Sequence, residues 1–334
     1  MTRTICVDTG YSETKVYQHV NGQNQTTIFP STFGKTTFAE NFLNTNDDSF
    51  IVEVGEEIYN FGETAIEKNA GGTTTLDKDV FVKDYNPLLT IAAVARQISR
   101  YQLPLPETLV VSLPIAFFKD QKGAMEERFR GKHNVALYKS DGKKTQSYQL
   151  NFRHVHVLPQ GYMAFLSKAL DVNGNTVPEF MKGMITIIDG GGKTIDITRI
   201  QNGQMLPTST SIPTGLDDIY RKIQDECYAA HDECPERPQI EYQIIRKEPY
   251  IMQNGETVDF DALRQKYVQA DKHAFLSRLR QAVGQSRIGR LFVCGGSGKI
   301  YFPLIQEAYP GAEELTPSVF ANAIGGFRYA LTKA

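Results

Sequence analysis

One plan is written twice in this chain: an apolar β-type run that ends near an aspartate, a glycine-bearing turn, and a second β-type run. Residues 3–8 (RTICVD) and 14–20 (TKVYQHV) flank the turn Thr9-Gly10-Tyr11-Ser12. Residues 184–188 (MITII) and 194–200 (TIDITRI) flank Asp189, Gly190, Gly191 and Gly192. No repeat at the ~20–50-residue period of solenoids accompanies them. A strand, Asp-x-Gly turn, strand unit used twice therefore reads as a duplicated α/β unit. The length, 334 residues, suits two such units at roughly 150 residues each.

The three glycines before Lys193 and Thr194 imitate a Walker-type phosphate loop, but the first glycine which that loop requires falls on Ile187. A second imitation, Gly298-Lys299, is broken by Ile300. Another phosphate chemistry fits better. An aspartate at a strand end can hold the waters of a magnesium ion while the backbone N–H groups of the following turn receive phosphate oxygens. Asp-Gly and Gly-Gly are also ordinary hairpin dipeptides, so one such turn decides little. Two of them, with Gly295-Gly296-Ser297-Gly298 as a third glycine turn after the apolar strand Arg290–Cys294, point to a phosphate site.

Strand and helix signals alternate elsewhere. Residues 49–62 (SFIVEVGEEIYNFG) are extended and break at Gly55. Asn86 reads as a helix cap with Pro87 at the first position, and Leu88, Leu89, Ile91, Ala92, Ala95 and Ile98 keep helical spacing to about Tyr101. Residues 108–113 form a buried-type strand closed by Pro114. Residues 151–158 (NFRHVHVL) alternate, and Pro159 and Gln160 lead into a helix over 161–169. Further helices are predicted over 215–226, 259–283 and 317–331, the last containing Ala321, Ala323, Gly325 and Gly326. This mixture predicts an α/β architecture. The one compositionally biased tract is Gly71-Gly72-Thr73-Thr74-Thr75.

Composition narrows the setting. With 36 Lys and Arg against 38 Asp and Glu, total charge gives no reason to expect a nucleic-acid or membrane surface. Cys6, Cys227, Cys234 and Cys294 are too scattered for a disulfide framework and suit a reducing, cytoplasmic compartment. The apolar run before Asp8 is too short for a signal-peptide core, and no segment approaches the ~20 apolar residues of a membrane span. A soluble protein is expected.

The motifs VDTGYSETK (7–15), VSLP (111–114), VLPQG (157–161), IIDGGGKTID (187–196), FVCGGSG (292–298) and AIGG (323–326) stand in the order used by the actin-like ATPase superfamily. Nearly the whole chain is covered. With FPSTF at 29–33 and PTGLDDI from 213, it most resembles the bacterial plasmid-segregation actins of the ParM/StbA type. The resemblance implies two ribonuclease-H-like domains with a nucleotide cleft between them: residues 1–160, completed by the C-terminal helix 317–334, and residues 161–316. It implies ATP or GTP and Mg²⁺ as ligands. Asp8, Thr9, Gly10, Ser12 and Lys15 fall on the first phosphate motif; Asp189, Gly190, Gly191, Gly192, Lys193 and Thr194 fall on the second, which Asp196 closes. Asp8 and Asp189 would lie nearest Mg²⁺, mostly through water. Gly295, Gly296 and Ser297 match the adenosine motif, and Gly215, Asp218 and Lys222 lie on the helix that would border ribose and base.

Gln160 occupies a place where plasmid-segregation actins carry glutamate and actin itself carries glutamine. A glutamine cannot act as a base; it would position the attacking water, and turnover would be slow. As partners the resemblance implies further copies of the chain, in a head-to-tail filament, and a DNA-bound adaptor protein, with neither direct DNA contact nor a membrane. A small-metabolite kinase of the same superfamily and a non-hydrolysing nucleotide-binding scaffold are the rival readings; a chaperone-type ATPase would need a peptide-binding domain. Cys227, His231 and Cys234 offer only three ligands on one helix end, a poor zinc site. His154 and His156 share a strand face and read as polar surface.

Overall fold

A hairpin forms at the N-terminus because Thr4–Thr9 is buried along its whole length and Gly10 permits the turn that returns it as Glu13–Val20. The Gly10 N–H donates to the Glu13 carbonyl at 3.0 Å, and the register sets Asp8 opposite Lys15 and Thr9 opposite Thr14. The second hairpin pairs Met184–Gly190 with Ile195–Gln201 and sets Asp189 opposite Asp196. Its turn closes the same way, with the Gly191 N–H donating to the Thr194 carbonyl at 2.9 Å. In this computed structural model the described residues are 3–36, 49–68, 81–284 and 288–333; the tract 71–75 lies outside them.

Each hairpin is extended by the same rule. On the outer side of the first lies antiparallel Gln23–Pro30, and on its inner side the parallel strands Thr108–Leu113 and His154–Pro159. The second gains Gln204–Met205 and Thr210–Ile212 on its outer side and parallel Arg290–Cys294 and Ala312–Glu314 on the inner. The strand order is thus the same in both sheets. A further sheet, built from Phe33–Lys35, Glu57–Gly62, Ser49–Val54, Gly131–Tyr138 and Lys144–Phe152, adjoins the first.

Burial divides accordingly. Ile5, Val7, Leu89, Leu109, Val111 and Phe129 belong to one core, and Ile188, Ile197, Ile219, Ile223, Leu279 and Val293 to another. A third joins the sheets: Cys6, Tyr17 and Val110 from the first and Ile185, Ile187 and Phe292 from the second, with the helices Tyr162–Ala169 and Ala321–Leu331 between them. The small residues of the last helix are explained here. A Cβ on Gly325 would lie 1.7 Å from the Met163 carbonyl oxygen, and one on Gly326 would lie 2.4 Å from Met163 Cε and 2.6 Å from Cys6 Sγ. Two helices in such close contact hold the two hairpins at one shared cleft.

Several predicted elements are corrected. Asn86 is no cap: a π-helical turn, Phe81–Tyr85, feeds directly into the helix Asn86–Tyr101, and the Asn86 side-chain oxygen Oδ1 accepts instead from the Thr90 hydroxyl at 3.2 Å. The helix expected over 215–226 runs as Asp217–His231. That expected over 259–283 is two helices, Phe260–Ala270 and Lys272–Val283, bent at Asp271 (φ −87°, ψ 0°) so that one rests on Asp217–His231 and the next on Gly296–Ala308. The C-terminal helix begins at Ala321 after a 3₁₀ turn, Ser318–Phe320. Among the described residues no helix is long and apolar enough to cross a membrane.

Candidate functional site

The two hairpins open onto a cleft of about 610 Å³, within the ~300–1,000 Å³ of small-molecule sites. Asp8, Thr9, Gly10, Ser12 and Lys15 line it from the first sheet; Asp189, Gly190, Gly191, Gly192, Lys193 and Thr194 line it from the second. Gln160, Gly295, Gly296 and Ser297 complete that wall. The glycines are there because backbone meets backbone. A Cβ on Gly190 would lie 2.1 Å from the Gly298 nitrogen; on Gly295, which has φ +85°, it would lie 2.5 Å from Asp189 Oδ1; on Gly192, 2.4 Å from Ser12 Oγ.

Asp8 is buried and organised from its own sheet. Its Oδ1 accepts from the Ser112 hydroxyl at 2.5 Å and from the Gln160 side-chain nitrogen at 3.1 Å, and that nitrogen also lies 3.2 Å from Ser112 Oγ. Asp189 is buried too, and its Oδ2 accepts from Asn322 Nδ2 at 2.7 Å. Burial, then the charge of Asp8, pushes the Asp189 carboxyl above its usual range, and the Asn322 hydrogen bond only partly offsets this. Asp196 accepts from the Ser211 hydroxyl and, at 3.3 Å, from the Ile115 N–H; burial first, then Asp189, pushes it up to about 7. Carboxylates crowded at one place, with Lys15 opposite Asp8 and no cation opposite Asp189, are a donor set that fits a divalent ion. Among the described residues no group of three or more His, Cys, Asp or Glu is arranged to hold a metal directly, so an ion there would keep water between itself and Asp8 and Asp189.

Helix N-termini reinforce the cleft's affinity for anions. Pro114, Leu216 and Gly295 precede the helices Ile115–Phe129, Asp217–His231 and Gly296–Ala308, none capped by its own N-cap side chain, and all three residues line the cleft.

Residues 6–162 match the family model for the actin-like proteins' N-terminal domain. The chain has the actin-like fold. Among solved structures it is similar to a ParM in a 15-stranded filament from Clostridium botulinum (TM-score 0.78, 21% identity, 100% of both chains covered). It is also similar to the ADP complex of Ta0583, an archaeal actin homolog (TM-score 0.72, 19% identity, 100% of both chains). A third likeness is to the apo psk41 ParM protein (TM-score 0.68, 19% identity, 99% of this chain and 97% of that one). At these identities the likenesses show the fold. No curated protein sequence matches the chain.

Three residues expected at the base end stand elsewhere. Asp218 pairs with Arg221, and Lys222 binds Asp271 Oδ1 at 2.5 Å; neither lines the cleft. Gly215 packs under the second hairpin, where a Cβ would lie 2.4 Å from the Gly192 carbonyl oxygen. The same helix region instead presents Leu216 and Tyr220 to the cleft, joined by Ile244, Ile300 and the ion pair Asp261–Arg264. Sequence reasoning also missed Ser112 and Asn322. Serine within VSLP was the one available signal for the first; the second had none. His231 lies 2.7 Å from Glu256, and His156 sets its ring edge-on to Tyr329.

Proposed function

We propose that this actin-like protein binds ATP or GTP with Mg²⁺ in the cleft, hydrolyses it slowly, and assembles head to tail into filaments whose stability follows nucleotide state. Cytoplasmic filaments of this kind would move plasmid DNA through a DNA-bound adaptor protein. The observation that carries the reading is the convergence of Asp8, Gln160 and Asp189 on one glycine-walled cleft. A ParM filament and an ADP-bound archaeal actin homolog among the similar structures support it.

In this reading the turn backbone of residues 9–12 and 190–194 receives the phosphates, with Lys15 as a nearby charge. Bound Mg²⁺ would neutralise phosphate charge between Asp8 and Asp189. Gln160 directs its amide nitrogen at Asp8 and Ser112, which leaves its carbonyl oxygen as the acceptor for a water proton. Glutamine takes no proton, so the rate arises from positioning and electrostatics. Tyr220, Leu216, Ile244 and Ile300 offer an apolar seat for the base. Nucleotide contacts that differ between open and closed cleft arrangements would select the form that fits the lattice, and a head-to-tail contact that does not close yields a filament. The metabolite-kinase reading needs a carboxylate free to take a hydroxyl proton. Asp189, the candidate for that role, accepts from Asn322 on one oxygen only, so the experiment below decides between the readings.

Sedimentation, light scattering and negative-stain microscopy of the pure protein with Mg²⁺ and ATP, ADP or a non-hydrolysable analogue test the proposal. Polymer should appear above a critical concentration with ATP or the analogue, shorten as phosphate is released, and need more protein with ADP. No polymer with any nucleotide, and turnover only when a small hydroxylated metabolite is added, would establish a kinase instead. Nucleotide binding with neither polymer nor turnover would establish a scaffold.

A further inference from the structure

Asn322 opens the helix Ala321–Leu331 and is buried between the two sheets, 6% exposed. Both ends of its amide are committed. Nδ2 donates to Asp189 Oδ2 at 2.7 Å, and Oδ1 accepts from the Gly161 N–H at 3.1 Å. The chemistry fixes this orientation, because only the nitrogen can face a carboxylate and only the oxygen an N–H. Gly161 directly follows Gln160.

The Gln160–Gly161 peptide is gripped from both sheets. The Gln160 N–H donates to the Leu113 carbonyl at 2.8 Å in the first, and the Thr198 hydroxyl of the second lies 3.5 Å from the Gln160 carbonyl. Gly161 has φ +73°, and a Cβ there would lie 2.1 Å from Thr198 Oγ1, so the chain has little freedom where it crosses between the sheets.

We propose that Asn322 is a positioning residue that couples Asp189 to the Gln160–Gly161 peptide, so that a ligand held at Asp189 is felt at the water-ordering glutamine. The coupling rests on the cleft being a nucleotide site. If Asp189 shifts toward a cation, Asn322 must follow or give up a buried charge-assisted hydrogen bond. Following carries the acceptor of the Gly161 N–H with it. The Asn322 helix cannot absorb the shift alone, since Gly325 brings its backbone against that of the helix Tyr162–Ala169, the helix that Gly161 begins.

Amide exchange at Gly161, resolved by isotope-labelled glycine, tests this directly, with nucleotide binding followed separately by a fluorescent ATP analogue. In the unmodified protein, Mg²⁺ with a non-hydrolysable ATP analogue should change Gly161 exchange about threefold or more. Asn322→Ala should exchange this amide about tenfold faster without ligand and show no response when ligand binds. Asn322→Asp is close to isosteric and keeps the acceptor; at a pH high enough to ionise both it and Asp189 it loses the donor, and there it should retain slow exchange in the free protein and lose the response. A residue with a merely structural role would lower the unfolding midpoint and leave the response of the aspartate variant intact. Exchange and response matching the unmodified protein in both variants overturn the coupling while the nucleotide site stands. Failure of the unmodified protein to bind nucleotide overturns the site, and the coupling with it.

Discussion

Asp8, Gly10, Glu13 and Lys15 stand at the same spacing in the first hairpin as Asp189, Gly191, Thr194 and Asp196 in the second, and both turns close with the same N–H to carbonyl bond. The difference lies at the last position of each set. Lys15 faces Asp8, and its ammonium also lies 3.2 Å from the Glu13 carbonyl and 3.6 Å from the Glu13 carboxylate. Asp196 faces Asp189, and their hydrogen-bond donors, from Asn322, Ser211 and the Ile115 backbone, are neutral. The first hairpin therefore carries its own counter-charge. The second has no cation opposite its aspartate: Lys193 of its turn lies over the Tyr11 ring, and Lys15 lowers the Asp189 carboxyl only in part, so a divalent ion between Asp8 and Asp189 would add the missing charge. One plan is present as two unequal hairpins: one pre-organised, the other, under the proposed function, to be completed by ligand.

The largest effect should come from Asp8→Ala. Under the proposed function it removes one of the two carboxylates that would lie nearest the ion, and it removes the acceptor shared by Ser112 and Gln160. Mg²⁺-nucleotide binding should weaken about 100-fold, roughly 2.7 kcal/mol. Asp189→Ala should also weaken it sharply. Titration with a fluorescent nucleotide measures both, and normal affinity in the two variants would remove the two-hairpin site.

The unequal charge makes a pH prediction. Asp196 is pushed up to about 7, from about 3.9 in an unfolded chain, so the folded protein holds its proton more tightly. Its contribution to stability is full below about pH 4 and is lost as pH rises through about 7. Asp189 shifts in the same direction. Asp196→Asn, without nucleotide or Mg²⁺, should match the unmodified protein near pH 4 and be more stable near pH 8 by about 2 kcal/mol. Thermal unfolding across that range checks it; parallel stability profiles would mean that the second hairpin carries no uncompensated charge.

What the sequence disclosed and what it withheld divide along this same line. The hairpins were legible because alternation, Asp-x-Gly and turn length are local signals. The duplication of the strand–turn–strand plan was legible too, but the strand order common to the two sheets is seen only in the fold. Ser112 and Asn322 were not legible, since each is a single polar residue in an apolar or small-residue stretch and meets its aspartate only through the fold. Asp218 and Lys222 were placed at the base end by motif order, but Leu216 and Tyr220, two residues away and rotated by about 200°, face the cleft. The apolar spacing of 259–283 runs through Asp271 without a break, and only the packing of two layers puts one there.

Gln160→Ala sharpens the comparison from the side of chemistry. Its side chain bonds within the first hairpin's network and touches no phosphate-bearing turn, so nucleotide affinity should stay near normal. Hydrolysis should slow tenfold or more, about 1.4 kcal/mol of barrier. Filaments should persist longer after ATP addition. Unchanged phosphate release would assign the water to another residue.

Lys15→Ala is the smallest change expected and the most direct probe of the inequality, because it strips the first hairpin of the cation opposite its aspartate, which the second hairpin lacks. If turn N–H groups do most of the phosphate binding, loss of the ammonium should weaken nucleotide binding only about threefold, roughly 0.7 kcal/mol. The more telling readout is ion dependence. Without Lys15, Asp8 has no cation opposite it, as Asp189 has none, Asp189 loses the lysine's more distant charge, and Glu13 loses its partner as well. Both hairpins would then rely on the divalent ion, and the dependence of nucleotide affinity on Mg²⁺ concentration should steepen. If Mg²⁺ dependence is unchanged while affinity falls tenfold or more, Lys15 serves as a phosphate ligand in its own right and not as the counter-charge of Asp8.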